Sequence, residues 1–91
     1  MKIVLNRSYG GYMLSEEAAR ILGVEEYDDD TRYNPGLIAL IEKKGSEFAS
    51  GRGSRLKVYE IPDNATDYRI IEYDGVERIL YVKDGTIYDL Y

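Results

Sequence analysis

The chain contains no cysteine, no histidine and no tryptophan, and only 2 prolines. Without cysteine there is no disulfide to staple a small core and no thiolate to attack a substrate or hold zinc. Without histidine the imidazole bases and ligands are missing too, which excludes the common nucleophile–base pairs and most zinc sites. Long hydrophobic runs are also lacking. None approaches the roughly 20 residues that a membrane-spanning helix needs, and the stretch 1–6 is too short for the apolar part of a signal peptide. The chain is expected to stay in the cytoplasm in which it is made.

What is present describes a small folded protein. The 91 residues suit one domain over 1–91, 44% of them are hydrophobic, and the 32% that are charged leave a well-solvated surface. A domain of this size buries only about 60% of the surface its unfolded chain exposes, so with no disulfide available a homo-oligomer is the expected source of extra burial. The net charge is -5. Glu25, Glu26, Asp28, Asp29 and Asp30 account for all of it, and acids and bases balance elsewhere. A duplex-binding protein would carry a basic excess, so duplex nucleic acid is not an expected partner, and neither is a membrane.

The pattern along the chain predicts an α+β fold, with two short helices packed against an antiparallel sheet that ends in a three-stranded C-terminal β-meander. A first strand is expected over 2–5. Ser15 reads as an N-cap ahead of Glu16 and Glu17, with a helix from Glu16 to Leu22 closed by Gly23 and an apolar stripe of Ala18, Ala19, Ile21 and Leu22. The acidic segment and Thr31, Arg32 and Tyr33 read as a solvated connector. Asn34 caps a second helix with Pro35 in its first turn, running from Pro35 to Lys44 and burying Leu37, Ile38, Leu40 and Ile41. Residues 46–54 are expected to form a mobile loop, and 56–61 a strand.

Two Asp-Gly pairs, Asp74-Gly75 and Asp84-Gly85, are strong hairpin signals and predict strands over 68–73, 76–83 and 86–91. Two-residue turns place Tyr68 opposite Tyr81 and Tyr81 opposite Tyr88. They also place Ile70 opposite Ile79 and Ile79 opposite Leu90, so one face gathers tyrosines and branched aliphatics into a seam. The other face mixes Arg69, Arg78 and Asp89 with Ile71, Leu80, Val82 and Ile87, and suits partial cover by another subunit.

Few residues offer chemistry. The same register opposes Glu72 and Glu77, where acid–base work is conceivable, but like charges at an exposed hairpin end read more simply as a tolerated cost. No catalytic residue is assigned. Asp28, Asp29 and Asp30 lack the alternating ligands and central glycine of a calcium loop, so neither a metal nor a cofactor is expected.

Two segments remain as ligand-binding candidates. In 50–57, glycines let backbone N–H groups face an anion, while Ser50, Ser54, Arg52, Arg55 and Lys57 add charge-assisted bonds to phosphate or carboxylate. The spacing is not that of a P-loop, and a flexible basic loop is the plain alternative. In 6–12, Arg7 precedes the paired glycines Gly10 and Gly11, which sit between Tyr9 and Tyr12, whose faces could stack on a base. A tight turn with tyrosines capping the core is the plain alternative there. Ten tyrosines in the chain fit an interface or a stacked ligand.

Several motifs in order, Asn6-Arg7 with Tyr9-Gly10-Gly11-Tyr12, Leu14-Ser15-Glu16-Glu17-Ala18, Ser50-Gly51, Leu56-Lys57-Val58 with Glu60-Ile61-Pro62-Asp63, and Glu72-Tyr73-Asp74-Gly75 with Glu77, carry a resemblance. The chain resembles a family of small uncharacterised proteins of tailed bacteriophages and prophages. Members of that family often have cysteine at the position of Ser8, and an ending with histidine, arginine and tryptophan where this chain has 83–91. The resemblance implies a phage accessory protein in the bacterial host cytoplasm, acting in host take-over or defence evasion. With the residues above, the expected function is non-enzymatic: a homo-oligomeric binder that sequesters a small anionic, nucleotide-type ligand such as a host immune signal. The alternative is a protein-binding module that inhibits or redirects a host protein.

Overall fold

In the computed structural model, which describes residues 1–90, the chain is built around a two-stranded antiparallel ribbon. Strand β1 (Lys2–Asn6) pairs with β2 (Leu56–Glu60), with Val4 opposite Val58 and Lys2 opposite Glu60. Alternate residues of a strand face opposite ways, yet Ile3, Val4 and Leu5 are all fully buried. The ribbon is therefore covered on both sides. Val4 and Leu56 face a cluster with Leu14, Ala18, Leu37, Ile38, Ile41 and Ala49. Ile3, Leu5, Tyr59 and Ile61 face the other way, against Ile79, with Ile70, Tyr81 and Leu90 packed around them.

The first cover is helical. In α1 (Glu16–Leu22) the Ser15 side chain accepts the Ala18 N–H, and Gly23 ends the helix at φ 69°, a left-handed position that costs glycine little. Asn34 caps α2 (Pro35–Lys44) by accepting from Gly36 and Leu37. Leu37, Ile38 and Ile41 are buried under the ribbon and Leu40 packs at its margin, matching the expected face. The expected stripe of α1 is narrower in fact. Ala18 and Ala19 are buried, but Ile21 is 53% exposed, because a seven-residue helix resting on α2 has room for only one side to be covered.

Two expectations fail here. Residues 46–54 are not a mobile loop: α3 (Ser46–Ala49) follows α2 directly, Ala49 is fully buried, and Leu14 bridges to Ser50. Gly51 is buried, and a Cβ there would lie 2.4 Å from the Met13 methyl, so glycine at this place serves close packing rather than mobility. The connector is solvated only in part: Glu25, Asp29 and Asp30 are exposed as expected, but its end turns inward. Residues Asp29–Tyr33 form a 3-10 helix capped by Asp28, and it buries Thr31 and Arg32.

The second cover is the meander, β3 (Asp67–Tyr73), β4 (Val76–Lys83) and β5 (Thr86–Leu90), in sheet order β3-β4-β5. Its register is the expected one, with Tyr68 opposite Tyr81, Ile70 opposite Ile79, Tyr81 opposite Tyr88 and Ile79 opposite Leu90. Both turns have positive φ at both central residues, 51° and 87° at Asp74 and Gly75, 52° and 74° at Asp84 and Gly85, the geometry that matches the twist of the strands they join. Tyr81 stacks on Tyr88 with centroids 5.2 Å apart. The expected end of the last strand at Tyr91 lies outside the described residues. The fold is thus α+β in three layers: helices, ribbon and meander. Among the described residues no helix is long and apolar enough to cross a membrane.

Candidate functional site

The two candidate segments, which the sequence offers separately, meet in one ledge at the end of the ribbon. Pairing continues past the strands, because Arg7 N donates to Arg55 O at 2.8 Å and Gly10 N to Gly53 O at 3.0 Å. The approach at Gly10 is so close that a Cβ there would sit 2.0 Å from Gly53 O. The β3–β4 turn leans on the same loop, since a Cβ on Gly75 would lie 2.5 Å from Tyr9 O.

Asn6 ties these parts together. Its amide nitrogen donates to Ser8 O at 2.6 Å and Gly75 O at 2.7 Å, and its oxygen accepts from Ser8 N at 3.2 Å and Arg55 N at 2.8 Å. All the side chain's main hydrogen-bonding positions are used, as a fully buried amide requires.

Below the ledge lies a buried ion pair that the sequence reading missed. Arg32 Nη1 donates to Glu77 Oε1 at 2.8 Å and Nη2 to Oε2 at 2.5 Å, a bidentate contact. Arg32 Nη1 also reaches Val4 O at 3.0 Å, and Asn6 N donates to Glu77 Oε1 at 2.7 Å. Glu77 still opposes Glu72 in the register. It is no exposed, tolerated charge, however, being 6% exposed and fully partnered. Burial on its own pushes the Arg32 guanidinium down, and the bonds from Glu77 outweigh that and hold it above its ordinary value.

Tyr12 belongs to this network. Its ring lies 4.1 Å from the Arg32 guanidinium carbon, a cation–π contact, and its hydroxyl shares a 2.8 Å hydrogen bond with Thr31 Oγ1. Burial pushes that hydroxyl up to about 12. No reactive group is exposed here, and the cluster works as a clamp between the 3-10 helix, the ribbon and the meander.

The other predicted residues lie on the rim. An open hollow of about 660 Å³ is lined by Arg7, Ser46, Arg55, Leu56, Lys57 and Tyr59. A second, of about 680 Å³, adjoins it through Ser46 and Arg55, and brings in Arg52, Ser50, Ser54 and one acid, Glu47. The ledge therefore gathers Arg7, Arg52, Arg55 and Lys57 along one border. Ser50 Oγ donates to Ser46 O at 2.6 Å and accepts from Leu56 N at 2.8 Å, while Ser54 Oγ donates to Gly11 O. Both hydroxyl hydrogens are given to backbone carbonyls, so these serines hold the shape of the ledge.

Lys57 Nζ lies 5.3 Å from the centre of the Tyr59 ring. Burial raises the Tyr59 hydroxyl, and the Arg7 charge draws it part of the way back. Tyr9 and Tyr12 do not come together: Tyr9 is 77% exposed on a third hollow, and Tyr12 is under Arg32. Tyr59 was absent from the predicted set, although its place two residues after Lys57 on one strand face is a signal that could have found it. Among the described residues no group of acids is arranged to hold a metal ion.

The chain matches no protein-family model, no curated protein and no solved structure.

Proposed function

We propose that this chain is a phage accessory protein that binds, without catalysis, a small anionic ligand of the nucleotide type, and that it sequesters such a ligand, for example a host immune signal, as a homo-oligomer in the bacterial host cytoplasm. The observation that carries the reading is the cationic border. In a chain of net charge -5, Arg7, Arg55 and Lys57 line one hollow and Arg52 lines the next, with Arg55 common to both. Guanidinium groups form paired, charge-assisted bonds to phosphate oxygens, and lysine adds a point charge. The lack of histidine and cysteine, and a best-placed carboxylate locked under Arg32, favour binding over catalysis.

Thermal unfolding with cyclic nucleotides and ADP-ribose-type nucleotides tests this. A ligand at a hundredfold excess over its Kd adds about 2.7 kcal/mol, which raises the Tm of a domain this small by roughly 10 °C or more. The rise is expected for the native chain and is lost on Arg55→Glu. A screen in which no nucleotide moves the transition removes the reading.

The outward face of the meander supports both the oligomer and the second reading. Ile87 is 69% exposed, and Leu80 and Val82 are half-buried beside it. In the oligomer a second copy covers this face; in the alternative, a host protein that the chain inhibits or redirects does so. Native mass spectrometry separates them: the first gives a multiple of the 10.4 kDa chain mass, the second a monomer that captures one stoichiometric partner from host lysate.

A further inference from the structure

A hollow of about 480 Å³ shares Arg7 with the hollow of Arg55 and Lys57, and is otherwise bordered by Tyr9, Ile71, Glu72, Tyr73, Val76 and Arg78. Its size falls in the usual range of small-molecule sites, about 300–1,000 Å³. We infer that this hollow receives the nucleobase of a nucleotide whose phosphates lie against Arg55 and Lys57, with Tyr9 and Tyr73 as the stacking surfaces; this rests on the anion-binding reading above and extends it across Arg7.

Three observations support the inference. Tyr9 and Tyr73 are each 77% exposed and border the same hollow, so two ring faces are within reach of one ligand. Their backbones are nonetheless held: Tyr73 is paired with Val76 at the turn, and Tyr9 O is packed against Gly75. Rings on fixed backbone stack on a base with little ordering cost, and every base has a face to offer.

The junction is also suited to a ligand that is flat at one end and charged at the other. Arg7 borders both this hollow and the cationic one, and its Nη1 donates to Glu77 O, which anchors the guanidinium between them. On the base side Ile71 and Val76 give apolar wall, and the second arginine there, Arg78, is paired with Asp89 at 3.4 Å. Past Arg7 the border carries Arg55 and Lys57.

Glu72 gives the hollow a preference among bases. Its Oε2 accepts from Gly75 N at 2.6 Å, so the carboxylate is fixed in place with acceptor capacity left over. An ionised carboxylate only accepts. Guanine offers it an adjacent ring N–H and amino group, whereas the corresponding edge of uracil has one N–H between two carbonyl oxygens that the carboxylate repels. A guanine nucleotide is therefore favoured over a uridine nucleotide.

Isothermal titration of the full chain with GTP, UTP and inorganic tripolyphosphate is the test. GTP is expected to bind roughly tenfold or more tightly than tripolyphosphate, given the strength of base–aromatic stacking. Tyr9→Ala and Tyr73→Ala should each remove about tenfold from GTP affinity and leave tripolyphosphate unchanged, while Arg55→Glu weakens both. UTP should bind more weakly than GTP, and Glu72→Gln should narrow that gap. If GTP and tripolyphosphate bind equally, or the tyrosine variants bind GTP like the native chain, the base site is overturned while anion binding stands. Equal binding of UTP and GTP overturns the role of Glu72. If neither GTP nor tripolyphosphate binds the native chain, the base site falls, and if the cyclic and ADP-ribose-type nucleotides also leave the thermal transition unmoved, the anion-binding reading falls with it.

Discussion

Arginine has two fates in this molecule. Arg32 is 8% exposed, clamped by both oxygens of Glu77 and by Val4 O, and stacked on Tyr12. Arg52 and Arg55 stand exposed on the ledge, in hollows whose only acid is Glu47. The buried residue has every need met by the chain itself, and removing its partner exposes the cost of burying a charge. The rim residues have little to lose from the fold and much to offer to something outside it. Positive charge gathered beside a single acid stays on the surface; positive charge buried with a matching acid holds the layers together.

The sharpest way to break this contrast is to take the partner from the buried residue. Glu77→Ala leaves the Arg32 charge uncompensated and is expected to cost about 3–5 kcal/mol in urea unfolding. A loss below about 1 kcal/mol would mean that water reaches Arg32 and that the clamp is not sealed.

A smaller effect lies in alkaline solution. Burial holds the Tyr12 hydroxyl at about 12 against an ordinary value of 10.0; Thr31 and Arg32 pull it down, and Glu77 and Asp29 push it up. The folded state thus keeps a proton that the unfolded state releases. Stability from this group is complete below pH 10 and falls as pH rises toward 12, by about 2 kcal/mol. Tyr33 is also raised to about 12, by burial and its bond with Tyr68, so the informative quantity is the difference between the native chain and Tyr12→Phe. The variant should show the shallower slope between pH 10 and 12, and equal slopes would refute the assignment.

The smallest effect belongs to the rim. Arg52→Ala is expected to change unfolding stability by no more than about 0.5 kcal/mol while weakening tripolyphosphate binding measurably. A large loss of stability with unchanged binding would place Arg52 with Arg32 instead.

Much of the fold could be read from local chemistry. Ser15 and Asn34 announce their helices because a cap acts within three residues, and Ser15 Oγ does accept the Ala18 N–H at 3.0 Å. Asp74-Gly75 and Asp84-Gly85 announce their turns because two successive left-handed positions suit few other pairs, and the meander register follows from them. Arg32 and Glu77 could not be paired this way. They lie 45 positions apart, and nothing in Thr31-Arg32-Tyr33 distinguishes an arginine that turns inward from one in solvent.

The parts of the candidate site were legible, but not their meeting. Arg52, Arg55 and Lys57 stand out as basic residues among glycines, and Arg7 beside Gly10 and Gly11. That the two segments share one ledge depends on the Gly10–Gly53 contact, which no local pattern encodes. Tyr73, named only in the motif that ends at the first turn, was not among the binding candidates, because at the end of β3 it stands opposite a valine rather than another ring.

The central ribbon also sets the order in which the molecule can assemble. Lys2 must find Glu60, so closing the ribbon costs the entropy of a long loop, whereas the strands of the meander are neighbours in sequence and zip together on the microsecond scale. Both hydrophobic clusters use ribbon side chains, so neither is complete until that loop closes. Amide protection during refolding should therefore arise first in β4 and last in β1.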